Sequence, residues 1–252
     1  MAGHSHAANV QYRKAKVNER KGKLFSKIAR IIIVAAKTGG GDPDMNLRLK
    51  YAIDKARAAN MTNDAIRRAI QKGTGEGGTE DYEEVAYEGY GPGGVALIAT
   101  GLTDNRARTA GEVKNAFERR GGNIGAQGSV AWQFEKKAIV QGETGGREED
   151  EILLAVMEAG ADDLEVDGDV FVALGPPDAM AALRGAVEGI GLEVKEAEIS
   201  WSPKNTVPLT DVETLRTVLG LVDDLEDNDD IQAVVANFEV DDALMAEAMS
   251  GN

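Results

Sequence analysis

The sequence predicts an α+β protein of three domains: an N-terminal helical bundle followed by two ferredoxin-like α/β sandwich domains, one inserted in the other. Three observations lead there. Up to Lys72 the apolar residues recur only at helical spacing, and after the glycine-rich stretch GTGEGGTED the pattern switches to mixed strands and helices. Residues 137–202 then read β-α-β-β-α-β, one complete ferredoxin-like unit. The stretch before it, Ala86 to Phe134, lacks a final helix and strand, which residues 211–240 can supply. The expected division is 1–78 for a basic arm and bundle, 79–136 with 203–245 for the middle domain, and 137–202 for the insert.

Taken in order, NVQYRKAKVNERKGK is dense in cations and poor in apolar residues, so it reads as a basic arm. LFSKIARIIIVAAK places Leu24, Ile28, Ile31, Ile32 and Ala35 on one helical face, with a stop at the glycines after Thr38. Asp44 is the expected N-cap of a second helix running to Ala59, and Thr62 that of a third ending at Gly73. VAYEGY and VALIATGLTD read as strands, RARTAGEVKNAFERRG as a helix, and SVAWQFE, by its alternation, as a half-buried strand. In the insert, AIVQG is a strand and EDEILLAVMEAG a helix. A hairpin on Asp167-Gly168 follows, then a helix opened by Pro176-Pro177 and the strand EVKEAEISW. TDVETLRTVLGLVDDLE is the returning helix, IQAVVANFEV the returning strand, and the tail DDALMAEAMSGN reads as a frayed end.

Charge is segregated. The net charge is -15, yet residues 1–72 hold 16 Lys+Arg against 5 Asp+Glu, and the remaining residues hold 12 against 38. A basic end on an acidic body is the footprint of a polyanion-binding module whose docking face is the N-terminal part. Arg13, Lys14, Lys16, Arg20, Lys21, Lys23, Lys27 and Arg30 are the candidate contacts. In NRART, Arg106 and Arg108 stand at a strand–helix junction, where they could bind phosphate or equally pair with the acidic surface.

Several chemistries are excluded or disfavoured. There is no Cys, so no disulfide, thiolate metal site or Cys nucleophile. The two His, His4 and His6, both fall in the arm, leaving no His for acid–base catalysis elsewhere. The carboxylates of VDDLEDNDDIQ lack the glycine and distal glutamate of a calcium loop and read as a solvated helix end. GYGPGG matches G-x-G-x-x-G, but a β pattern follows it and no GK[ST] is present, so it reads as a glycine turn joining two strands. No cofactor and no enzyme activity are expected. The longest apolar run, Ile31 to Ala36, is too short for a bilayer, and no secretory signal is visible; with the missing Cys this points to a cytoplasmic protein without membrane contact.

The segments MAGHS, RKAK…RKGKLFSKIAR, GGGDPDMNLRLKYAIDKARAANM, YEGYGPGG, LTDNRARTAGEV, GGNIGAQGSVAW and LEDNDDIQAV together resemble the YebC family nearly end to end, closely up to Phe134 and more loosely over the insert. The resemblance implies an all-helical first domain and two ferredoxin-like domains. It also implies a non-enzymatic transcriptional regulator that binds DNA through its basic N-terminal region. A related mitochondrial branch resembles translational activators, and bacterial members are connected with ribosomes that stall on proline-rich sequences, so the alternative that the resemblance implies is a ribosome-associated translation factor that binds ribosomal RNA and relieves such stalling. A protein partner on the acidic domains is compatible with either. The chain departs from the family near its start: it has HSHAAN where HSKWAN is common, and Tyr12 where a His is common, so that Tyr12 becomes the candidate stacking residue of the arm.

Overall fold

The computed structural model describes residues 21–75 and 81–250. Helix α1 (Lys21–Gly39) buries Ile28, Ile32, Ala35 and Ala36 against Leu49, Ala52, Ile53 and Ala56 of α2 (Leu47–Ala58) and Ile66 and Ala69 of α3 (Asn63–Gly73). Ile31 and Leu24 are half-buried rather than central, and Ile33 and Val34 are also buried, because α1 is covered on more than one side. Thr62 caps α3, its hydroxyl accepting from the Ala65 amide. Asp44 does not cap α2; Asn46 does. Its Oδ1 accepts from the Leu49 amide at 3.1 Å, while its Nδ2 donates to the carbonyls of Ala35 and Gly40 at 2.8 Å each. One side chain therefore satisfies an orphan donor of α2 and a terminal acceptor of α1. Asp44 lacks the amide needed for the second task.

Strands β1 (Glu83–Tyr90) and β2 (Ala96–Thr103) pair in register from Glu83↔Thr103 to Tyr90↔Ala96. GYGPGG ends β1 and turns the chain into β2, with Gly93 at φ 71° and Gly94 at φ 76°, the left-handed turn that the sequence predicts. Helix α4 (Arg106–Arg119) follows, then the short β3 (Asn123–Ile124). The chain next builds a second sheet and returns through β8 (Val207–Pro208) and α7 (Val212–Glu226) to β9 (Ile231–Ala236), which pairs with β2. The first sheet has the order β3-β1-β2-β9.

The second sheet comprises β4 (Phe134–Glu143), β5 (Asp163–Asp167), β6 (Val170–Gly175) and β7 (Val194–Pro203), in the order β5-β6-β4-β7. Helices α5 (Glu149–Glu158) and α6 (Met180–Gly189) connect them, and Ile152, Val156, Leu183 and Val187 pack on Ala138, Val140, Phe171 and Ala173. This is the ferredoxin-like order. The Asp167-Gly168 turn joins β5 to β6, with Gly168 at φ 58°.

Strand β2 is buried nearly throughout because both faces of its sheet are covered. Leu97 and Ala99 meet Phe117 of α4 and Leu215, Val218 and Val222 of α7; Ala96 and Ile98 meet Val130, Phe134 and Trp201 from the root of the second sheet.

Three expectations need correction. SVAWQFE is not an alternating strand: Ala131–Gln133 form a 3₁₀ turn, and Phe134 instead opens the long β4 that continues through AIVQG. Glu88 explains the turn. Its buried carboxylate accepts from the amides of Gly128 (2.7 Å), Val130 and Ala131 (2.8 Å each), which draws this backbone inward. IQAVVANFEV splits at Asn237 into β9 and β10 (Phe238–Glu239), since the buried Asn237 accepts from the Ala96 amide and donates to Gln133 and to the Asn205 carbonyl. Lastly, the tail residues Asp242–Ser250 form α8, whose Met245 and Ala248 join the core beside α7.

Burial alone would raise the Glu88 pKa, but the three backbone donors outweigh it and hold the carboxyl below its ordinary value. A depressed carboxylate stabilises the fold above its unfolded pKa, and that contribution is lost as pH falls through the folded one. Glu88→Ala should cost about 2–4 kcal/mol in urea unfolding at neutral pH, because three amides lose a charged acceptor. Glu88→Gln should flatten the part of the acid unfolding curve that lies below pH ~4.5. Unchanged curves in both variants would refute this account.

Candidate nucleic-acid interface

The bundle's cations meet the acidic body. At the turn between α7 and β9, Lys23 Nζ donates to the Asp227 carbonyl at 3.1 Å and Lys27 Nζ to that of Glu226 at 2.5 Å. Arg30 pairs with the Asp230 carboxylate at 3.0 Å, donates to the Asp229 carbonyl and lies 5.4 Å from the centre of the Tyr82 ring. Lys27 is half-buried, and desolvation lowers its pKa to about 8 despite the opposing pull of Glu226, Asp229 and Asp227.

Asp230 is the hub, with only 2% of its surface exposed. Its Oδ2 accepts from Thr109 and Arg108 at 2.6 Å each and from Thr103 at 3.1 Å, and its Oδ1 faces Arg30. Desolvation would raise its pKa; the hydrogen bonds of Thr109, Arg108 and Thr103 lower it and prevail. Its backbone carbonyl accepts from the Leu102 amide at 2.8 Å. That approach requires Gly101, where a Cβ would lie 2.4 Å from the Asp230 oxygen. The reading of this carboxylate run as a solvated helix end is thus corrected at Asp230. A run of acids in sequence does not reveal that one of them faces two threonines and two arginines.

Of the two arginines of NRART, Arg108 binds Asp104 and Asp230, and Arg106 lies 3.4 Å from Glu83. A cavity of about 400 Å³ opens between α1, α4 and the acidic turn, lined by five carboxylates against three cations. That balance of charge disfavours phosphate inside it. No group of His, Cys, Asp and Glu that could hold a metal ion occurs among the described residues.

Helix α2 docks elsewhere. Lys55 bridges Glu196 and Glu198 of β7, the latter at 3.0 Å, and Asp54 meets Arg184 of α6 at 2.9 Å. Burial opposes the charge on Lys55, but the two glutamates hold its pKa above the ordinary value. Lys37 pairs with Asp81 and Arg48 with Glu84. Lys50 and Arg68 remain exposed on the bundle without an ion pair among the described residues. Neither is among the sequence-predicted contacts, because exposure without a partner is visible only in three dimensions. Among the sequence-predicted contacts, Lys21 opens α1, while Tyr12, Arg13, Lys14, Lys16 and Arg20 lie outside the described residues. No helix of the described residues is long and apolar enough to cross a membrane.

Asp230→Ala should strip four donors of their acceptor and cost about 3–5 kcal/mol in urea unfolding. Hydrogen exchange in residues 21–39 should rise in the same variant, since Arg30 loses its anchor. Unaltered exchange there would show that α1 is held by other contacts.

The family model described as the TACO1/YebC N-terminal domain matches residues 5–76, and that of the TACO1/YebC second and third domain matches residues 82–238. A protein of Desulfitobacterium hafniense named "Probable transcriptional regulatory protein" is 49% identical, over 99% of this chain and 100% of its own length. One of the same name from Pelotomaculum thermopropionicum is 48% identical, over 96% of this chain and 100% of its own length. The crystal structure of a conserved hypothetical protein from Aquifex aeolicus superposes with a TM-score of 0.85 at 43% identity, covering 90% of this chain and 94% of that one.

Proposed function

Because the chain belongs to the TACO1/YebC family, we propose that it is a non-enzymatic regulator of gene expression that binds nucleic acid through its basic N-terminal region. The observation that carries this reading is the charge arrangement. The cations of α1 that face the body are matched by the acidic turn, whereas the arm before α1 carries Arg13, Lys14, Lys16 and Arg20 against Glu19 alone. The contacts are assigned to these four, to Lys21 and to Tyr12 as a stacking group. Lys23, Lys27 and Arg30 hold the root of the arm against the body, whereas Arg106 and Arg108 pair within the body, with Glu83 and with Asp104 and Asp230. The names of the relatives favour a role in transcription, for which DNA is the expected ligand.

One observation favours the second reading, a translation factor on ribosomal RNA. The most basic helix, α1, is docked along the body through Lys23, Lys27 and Arg30, which leaves it poorly placed to lie in a DNA major groove. An arm that contacts phosphates suits folded RNA, whose deep major groove side chains do not read.

Fluorescence anisotropy with duplex DNA and with a folded ribosomal RNA fragment, across a KCl series, tests both. Affinity should fall steeply with salt. Replacing Arg13, Lys14, Lys16 and Arg20 by Glu should abolish binding to either ligand and leave the urea unfolding curve unchanged. Binding retained by that variant would sink the arm as the docking element. The ratio of the two wild-type affinities at equal salt decides between DNA and RNA.

A further inference from the structure

Far from the acidic turn, the segment from Gly121 to Gln133 presents a tryptophan. Trp132 is 64% exposed. Its indole Nε1 donates to the Ser129 carbonyl at 3.1 Å, so its one polar atom is satisfied internally and only the ring face meets solvent. The seat is stiff. Glu88 holds the amides of Gly128, Val130 and Ala131, and the Gly125 amide donates to the Glu88 carbonyl at 2.7 Å. Val130 is fully buried beneath, and Gln133 donates to the Tyr90 hydroxyl at 3.1 Å.

The two tryptophans differ in a telling way. Trp201 packs against Ala96, Ile98 and Phe134 and carries Lys136 4.3 Å from its ring centre. Trp132 has no cation over its ring among the described residues. The other exposed large apolar side chains among the described residues lie on the α1–α2 connection, α2, α5, β7 and α8, none of them on the segment that carries Trp132. The exposed Lys204 adjoins it, its backbone amide donating to the carbonyl of the next residue, Gln133, at 2.8 Å. An apolar protein partner would call for a contiguous patch around an anchor. A rigid exposed ring with an exposed lysine on the adjoining backbone fits a planar, anionic ligand.

We propose that Trp132 is a stacking platform for an unpaired base of a single-stranded nucleic acid, with Lys204 facing the adjacent phosphate. The inference rests on the nucleic-acid reading above and adds to it a second contact point, on the body rather than the arm. Stacking on an aromatic side chain contributes about 1–3 kcal/mol per base.

The test is a fluorescence titration of the full chain with oligouridylate, oligothymidylate and a duplex of equal length, each across a KCl series. Single strands should quench the emission, and Trp132→Ala should weaken their binding about 5- to 100-fold with an unchanged salt slope, since no ion pair is lost. Trp132→Phe should restore most of the affinity, and duplex binding should be equal in all three proteins. The ratio of oligouridylate to oligothymidylate affinity identifies RNA or DNA as the source of the base. Equal single-strand affinity in wild type and Trp132→Ala overturns this inference and leaves the arm reading standing. So does an equal loss on duplex. Failure of the wild-type chain to bind any of the three overturns the nucleic-acid reading, and this inference with it.

Discussion

A single buried carboxylate joins the parts of this molecule. Asp230 sits where β9 begins, almost without solvent, and an isolated charge there would be prohibitively costly. Thr103 of β2 and Arg108 and Thr109 of α4 satisfy one oxygen; Arg30 of α1 approaches the other. The sheet, the helix on it and the N-terminal bundle thus converge on one group. Gly101 completes the arrangement from the backbone side, since no larger residue would let the Asp230 carbonyl reach the Leu102 amide.

The same economy governs the bundle as a whole. Its hydrophobic core is small, built mostly of isoleucine and alanine, and its attachment to the body is largely ionic: α1 to the acidic turn, α2 to β7 and α6. Opposite charge in the two halves of the chain therefore serves folding: the cations of α1 that the body neutralises position the bundle.

Much of this was legible in the sequence. The change from helical to mixed periodicity, the glycine turn at GYGPGG and the complete β-α-β-β-α-β unit reflect local preferences that tertiary contacts only reinforce. What was not legible depends on reach. Asp44 and Asn46 are equally good caps by residue type, and Asn46 prevails because its amide can also donate to the end of α1. Val130, Trp132 and Phe134 alternate as a strand would, yet a glutamate forty residues earlier bends their backbone into a turn. The helix at Asp242–Ser250 carries a weak apolar pattern and is helical where Met245 and Ala248 find α7. For the candidate interface, charge segregation was visible, but not which cations the body would take up.

The way the inserted unit is joined bears on how the chain reaches this state. Its first and last strands are neighbours, with Phe134 opposite Pro203. Once β4 and β7 pair, the two ends of the insert are side by side. The middle domain then meets a connection that behaves as a short hairpin rather than a long loop, so most of the closure entropy has been met inside the insert. The pairing of β9 with the β1–β2 hairpin therefore carries a closure cost closer to that of a short connection than to that of the whole inserted length.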